Sequence, residues 1–276
     1  MTSDPEAGGR HRIAFGLEYD GSRFRGFQRQ QQRPTVQEVL EDALAAVADE
    51  PVTVHCAGRT DTGVHAACQV IHIETAASRL ERAWVLGANS SLPGAVAVRW
   101  ARFVDARFHA RFSARGRYYR YRILNRWIRP GLFAGRVAWE RRPLDAERMH
   151  RAAQALVGEH DFSSFRALGC QAKHARRCLR SIAVHRAGDE VVLDVAANAF
   201  LYHMVRNIAG TLIRVGCGER EPAWVGEVLA ARDRKQAGIT APPEGLYFMG
   251  VDYPDHPELP ARSADLQPFP RGRDLS

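Results

Sequence analysis

No stretch of the chain reaches eighteen consecutive apolar residues, so no segment is expected to cross a bilayer as a helix. The opening residues MTSDPEAGGRHR lack the apolar centre and cleavage site of a secretion signal, and a soluble, cytoplasmic protein with no membrane partner is expected. Cysteine is sparse and odd in number. Cys56, Cys68, Cys170, Cys178 and Cys217 contain no Cys-x-x-Cys pair, which argues against a disulfide framework and against a zinc ribbon. His55, Cys56, Cys68 and His72 could be drawn as ligands, but they lie two on each of two expected strands without finger-like spacing, so no metal is expected. A G-x-x-x-x-G-K-[ST] loop is also missing, and no second acidic cluster lies near Asp61, which leaves Mg²⁺-dependent phosphoryl transfer unsupported.

Lysine is nearly missing too, with only Lys173 and Lys235, so the net charge of +8 is carried by arginine. Its distribution is uneven. Between Arg99 and Arg129 ten arginines face a single acid, Asp105, and Trp100, Phe103, Phe108, Phe112, Tyr118, Tyr119, Tyr121 and Trp127 are interleaved with them. Arginine mixed with aromatics suits a surface that meets phosphates and unstacked bases. Codon preference can explain arginine in place of lysine, but not the shortage of acids.

Along the chain, strands and helices alternate without repeats. Ile13, Phe15, Leu17 and Tyr19 alternate with small or polar residues as in a half-buried strand, and YDGS closes it with a turn. Thr35 opens a helix, with Glu38 three residues on as a capping box and Val36, Val39, Leu40, Ala43, Leu44 and Val47 on one face. VTVH and QVIHIE read as strands, followed by a helix near residues 79 to 89 and the strand AVAVRW. In RYYRYRIL, Tyr119, Tyr121 and Ile123 share one face while Tyr118, Arg120 and Arg122 share the other, so one face can pack and the other bind. Asp145 caps a helix, residues 182 to 197 form a hairpin around Gly188, and FLYHMVRNIAGTLIRVG is a long apolar helix. A helix from Pro222 and the strand LYFMGVDY follow. These elements imply an α+β protein of two halves, with a boundary near residues 105 to 115 and a cleft between their sheets. The expected division is a flexible segment 1–11, a catalytic half 12–107, a second half 108–254 and a loose tail 255–276.

The segment CAGRTDTGVHA, residues 56 to 66, is the one that poses a chemical question. Gly58 and Gly63 allow the backbone to bend, and Thr60, Asp61 and Thr62 favour local side-chain to backbone hydrogen bonds, so it reads as a tight loop after a strand. His65 is expected to pack the loop rather than act as a general base.

AGRTDTGVHA resembles the catalytic loop of the tRNA pseudouridine synthase A family. The similarity continues in order through GFQRQ, TVQEVLEDAL, FHARFSA, YYRYRILN, FLYHMVRNIAGTLI and TAPPEGLYF, covering roughly residues 12 to 253. The resemblance implies a pseudouridine synthase fold: two similar α/β halves, mainly antiparallel sheets side by side, and a central active-site cleft. It also implies isomerisation of uridine to pseudouridine at positions 38, 39 and 40 of the tRNA anticodon stem and loop, by a homodimer without metal or cofactor. Carried over by position, the nucleophile falls on Asp61 and the base-stacking tyrosine on Tyr119. The arginine that pairs with the nucleophile falls on Arg206, and the arginine two residues before it on Arg59. YYRY offers Tyr118 as a neighbour, but Tyr119 and Tyr121 reproduce the family's Tyr-x-Tyr spacing. Phe27 stands where family members usually have Trp, one large aromatic for another.

The chemistry fits these residue types. The N1–C1′ bond must break, the base must turn while trapped, and C5 must join C1′ and lose its proton; nothing is oxidised and no group leaves. A carboxylate can serve as nucleophile or stabilise a sugar cation and be released unchanged, provided that a cation keeps it ionised in a water-poor pocket. A bidentate guanidinium such as that of Arg206 would also aim it. The target base must leave its stack, at a cost of a few kcal/mol that phosphate contacts and aromatic stacking can offset. The competing reading is a noncatalytic RNA-binding protein that uses only the Arg/Tyr-rich strand.

Overall fold

The alternation from Ile13 to Tyr19 becomes the strand His11–Tyr19 (β1) in the computed structural model, which describes residues 9–260. The described chain forms two compact units. One runs to Arg115 and takes in residues from Gly250 onward, and the other is Gly116–Met249.

In the first unit β1 lies between His65–Thr75 (β3) and Val96–Val104 (β4), antiparallel to both. His55–Cys56 (β2) is a two-residue strand on the outer side of β3. The helices are Val36–Ala48 (α1) and Glu81–Ser91 (α2). β1 is buried on both faces rather than one. Phe15 meets Trp84 of α2 edge-on at 5.9 Å, while on the opposite side a methyl group at Gly16 would lie 2.0 Å from Nε1 of Trp100. The small residues between the large ones are therefore room for an indole, not a solvent face.

α1 starts as its cap predicts, with Thr35 Oγ1 accepting from the Glu38 N–H at 3.4 Å. The reciprocal half of the box does not form, because the Glu38 carboxylate turns to Arg33 at 2.8 Å. The buried stripe includes Gln37 as well as Val36, Leu40, Ala43 and Leu44, leaving Val39 and Val47 half-buried. Gln37 tolerates burial because its Oε1 accepts from the Arg29 N–H at 3.0 Å and its Nε2 donates to Glu41 at 2.8 Å.

The second unit holds Gly116–Asn125 (β5), Ala138–Glu140 (β6), Gly158–Asp161 (β7), Arg176–Ala187 (β8) and Glu190–Ala197 (β9). Leu246–Asp252 (β10) begins here and ends in the first unit. The order is β10-β5-β9-β8-β7, and β6 joins β5 in parallel. β8 and β9 form the expected hairpin, with Ala187 opposite Glu190 and Gly188 at φ +58°. Ala146–Ala153 (α3), Met204–Gly216 (α4) and Trp224–Ala231 (α5) are its helices.

α4 starts four residues later than the apolar run suggests. His203 sits at φ +58°, a left-handed conformation that cannot continue a right-handed helix, so Phe200 and Leu201 stay outside it and the chain turns at Tyr202 and His203, although Leu201 is buried. The helix is enclosed nearly all round. A methyl group at Gly210 would lie 1.8 Å from the Ile239 carbonyl, and the buried Asn207 and Thr211 are satisfied by Arg234, Thr240 and Gly238.

The expected loose tail is packed where it is described. Phe108 meets His256 at 4.9 Å and Leu259 is buried, and just before the tail Tyr253 OH donates to the Ala110 carbonyl at 2.6 Å. The remainder of the expected flexible N-terminus and tail lies outside the described residues.

One cluster in the first unit ties stability to pH. His72 is 2% exposed, its Nδ1 accepts from the Ala110 N–H at 3.2 Å, and its ring lies 4.9 Å from His55 and 4.6 Å from His109. Burial, followed by the charges of His109, His55 and Arg12, pushes its pKa from 6.5 down to about 3. The unfolded chain then takes up a proton that the fold refuses. Stability should be complete above about pH 6.5 and fall as the pH drops toward 3. Denaturant titrations from pH 7 to 4 check this, and His72→Asn should show a shallower slope over that range; equal slopes would contradict it.

Candidate active site

Residues 57 to 64, which join β2 to β3, are held at several backbone groups. The Ala57 N–H donates to Val70 at 2.8 Å, Gln69 Nε2 donates to the Gly58 carbonyl at 2.6 Å, and the Phe27 N–H donates to the Thr60 carbonyl at 3.0 Å. The Thr60 hydroxyl meets the Tyr19 hydroxyl at 2.8 Å inside the protein. Burial pushes the Tyr19 pKa well up, so that phenol stays protonated. The Val64 N–H closes a turn on the Asp61 carbonyl at 3.1 Å, with Gly63 at φ +80°; Gly58 keeps an ordinary φ. Asp61 is thus a half-buried side chain on a rigid turn, with the exposed Arg59 two residues before it.

What holds the turn is the segment from Asp20 to Phe27. A methyl group at Gly21 would lie 1.9 Å from the Val64 carbonyl. Gly26 adopts φ +87°, and a methyl group there would lie 3.0 Å from the Thr60 carbonyl. These two glycines let one loop lie directly on the other. The sequence signals were Gly21 in the YDGS turn and Gly26 at the head of GFQRQ. His65 is 2% exposed, its Nδ1 accepting from the Gly21 N–H at 3.1 Å and lying 3.2 Å from Asp20 Oδ1. Cys56 stands at the loop's entrance. Burial pushes its pKa up to about 12 against the opposing charges of Arg59 and Arg111.

Tyr119 and Arg206 belong to the second unit, so the expected site residues divide two and two between the units. Tyr119 lies on β5 opposite Val195, and its ring is held edge-on by Phe200 at 4.9 Å and Phe248 at 5.1 Å. Two perpendicular neighbours fix the plane of the ring. Tyr118 points to the other face. Arg206 is in the first turn of α4, half-buried, with Nε donating to the Ala241 carbonyl at 2.8 Å. That bond sets the plane of its guanidinium.

The arginine-rich segment is not the bare cationic strip that its composition suggests. Arg120 pairs with Asp194 at 2.7 Å and Arg122 with Glu190 at 2.7 Å, both from β9, so the face of β5 expected to bind is occupied by carboxylates. Arg102 pairs with Glu81, Arg107 with Asp105 and Arg126 with Asp189. His55 and His72, once candidate ligands, stack with 22° between their planes, and no group that could hold a metal ion occurs among the described residues. No helix among them is long and apolar enough to cross a membrane.

Comparison with known proteins places this geometry in a family. A family model described as tRNA pseudouridine synthase matches residues 17–113 and 152–254. The chain is 57% identical over 252 residues to a protein of Xanthomonas oryzae pv. oryzae (strain PXO99A) named tRNA pseudouridine synthase A, covering 91% of this chain and 98% of that one. It is 56% identical over 249 residues to the protein of the same name from Cronobacter sakazakii (strain ATCC BAA-894), covering 90% and 92%.

The cradle makes a prediction that does not depend on activity. Gly21→Ala should cost about 1–3 kcal/mol of stability through overpacking. Its faster amide exchange should be concentrated in residues 58 to 65. Exchange that rises evenly across β1 and β3 would contradict the cradle.

Proposed function

Because the chain belongs to the tRNA pseudouridine synthase family and isomerises uridine in tRNA to pseudouridine, we propose that it acts at positions 38, 39 and 40 of the anticodon stem and loop, with Asp61 as nucleophile. The observation that carries this reading is the pinned turn. A carboxylate on a loop whose neighbouring carbonyls and hydroxyl are already bonded needs no rearrangement to meet an extruded nucleotide.

The other residues take roles that fit their surroundings. Arg206, with its guanidinium plane set by Ala241, is the cation that keeps Asp61 charged and aimed. Tyr119, braced by Phe200 and Phe248, offers a preset flat ring on which the freed uracil stacks while it turns. Arg59 supports the loop's contact with the phosphate backbone. The N1–C1′ bond breaks, C5 bonds to C1′, and the proton lost at C5 is balanced by the one gained at N1. This redox-neutral exchange calls for no cofactor. Selection of uridines by their place in a folded arm suits recognition through backbone shape rather than base sequence. The enzyme works as a cytoplasmic homodimer in this reading.

Asp61→Asn should abolish pseudouridine formation in an anticodon-arm RNA while leaving tRNA affinity within several fold, read by chemical labelling of pseudouridine and by filter binding. Full turnover by that variant would remove the nucleophile assignment. Arg206→Lys should lower the rate strongly, since a point charge replaces a bidentate fork; an unchanged rate would exclude the ion pair.

A further inference from the structure

The turn of residues 108 to 113 has no role in the scheme above, yet it is among the most heavily anchored segments of the first unit. The Ala110 N–H donates to His72 Nδ1 at 3.2 Å, and the Ala110 carbonyl accepts from Tyr253 OH at 2.6 Å. His109 Nδ1 accepts from the N–H groups of Arg111 and Phe112 at 3.1 and 3.3 Å, and the Ser113 hydroxyl accepts from the His109 N–H at 2.9 Å. The His109 ring lies 4.6 Å from His72 and 5.5 Å from His55. His55 immediately precedes Cys56 and the Asp61 loop.

This anchored turn carries Arg111. Arg111 is an exposed residue, with its Cζ 5.7 Å from the ring of the exposed Phe112. His109, two residues before Arg111, lies 5.5 Å from His55, and Arg59 follows four residues after His55, so both cations belong to segments that meet where the chain enters the loop. His109 and His72 are held neutral, the first mainly by burial, so the clamp adds no charge of its own. A rigid turn, a long cation at its tip and a second cation on the neighbouring loop form the arrangement that receives a phosphate.

We infer that Arg111 binds a backbone phosphate of the substrate RNA beside the target uridine, acting with Arg59 at the entrance of the Asp61 loop. The inference rests on the reading that this loop receives the target nucleotide. The histidine stack then serves to set the height and direction of Arg111. Two guanidinium groups that grip the backbone next to the flipped residue offset part of the cost of extruding it.

The test is binding of an anticodon stem-loop RNA to the full-length protein over a series of salt concentrations. Arg111→Ala should weaken binding on the order of tenfold, as loss of one charge-assisted contact does, and should reduce the slope of log K against log salt by about one. Arg111→Lys should keep the slope. Unchanged melting temperatures for both variants establish that only the contact was removed. A wild-type affinity and slope for Arg111→Ala would overturn the inference, and so would a slope change seen with whole tRNA but not with the stem-loop. Because the readout is binding, it fails or succeeds separately from Asp61→Asn, whose failure would be read in turnover.

Discussion

The contact on which the site depends is the pair of bonds that hold Thr60, its hydroxyl by Tyr19 and its carbonyl by the Phe27 N–H. Neither belongs to the loop that carries Asp61. One comes from the end of β1 and the other from the chain beyond it, so the turn takes its rigidity in part from a strand residue 41 positions earlier. The buried phenol and hydroxyl satisfy each other where water cannot reach, which makes the pair expensive to break. Gly21 and Gly26 let the supporting chain come close enough for these bonds to form.

Electrostatics follow a similar division between what a segment contains and what surrounds it. Arg120 and Asp194 are 74 positions apart and Arg122 and Glu190 are 68 apart, yet each pair faces across neighbouring strands. A basic stretch of sequence is therefore converted into ladders of opposite charges that hold β5 to β9. Cross-strand ion pairs of this kind contribute modestly to stability.

Much of the fold was legible because its determinants are local. Thr35 and the apolar stripe define α1 within thirteen residues, and Gly188 alone marks the β8–β9 hairpin. The Asp61 loop was legible as a turn from Gly63, Thr60 and Thr62, and as a catalytic loop only through ordered resemblance across the chain. What could not be read depended on distant partners: the indole over Gly16, the acids opposite Arg120 and Arg122, and the cradle around Thr60. The start of α4 was misread for another reason. Hydrophobic spacing continues through Leu201, but one left-handed residue, His203, decides where the helix begins.

The first unit is discontinuous: Tyr253 and its neighbours return to seal Phe108 and Ala110 long after the chain has left that unit. During synthesis the ribosome delivers all of the second unit before the piece that closes the first. The half bearing Asp61 must therefore wait, partly open, until translation has passed residue 253, while its companion can already have folded.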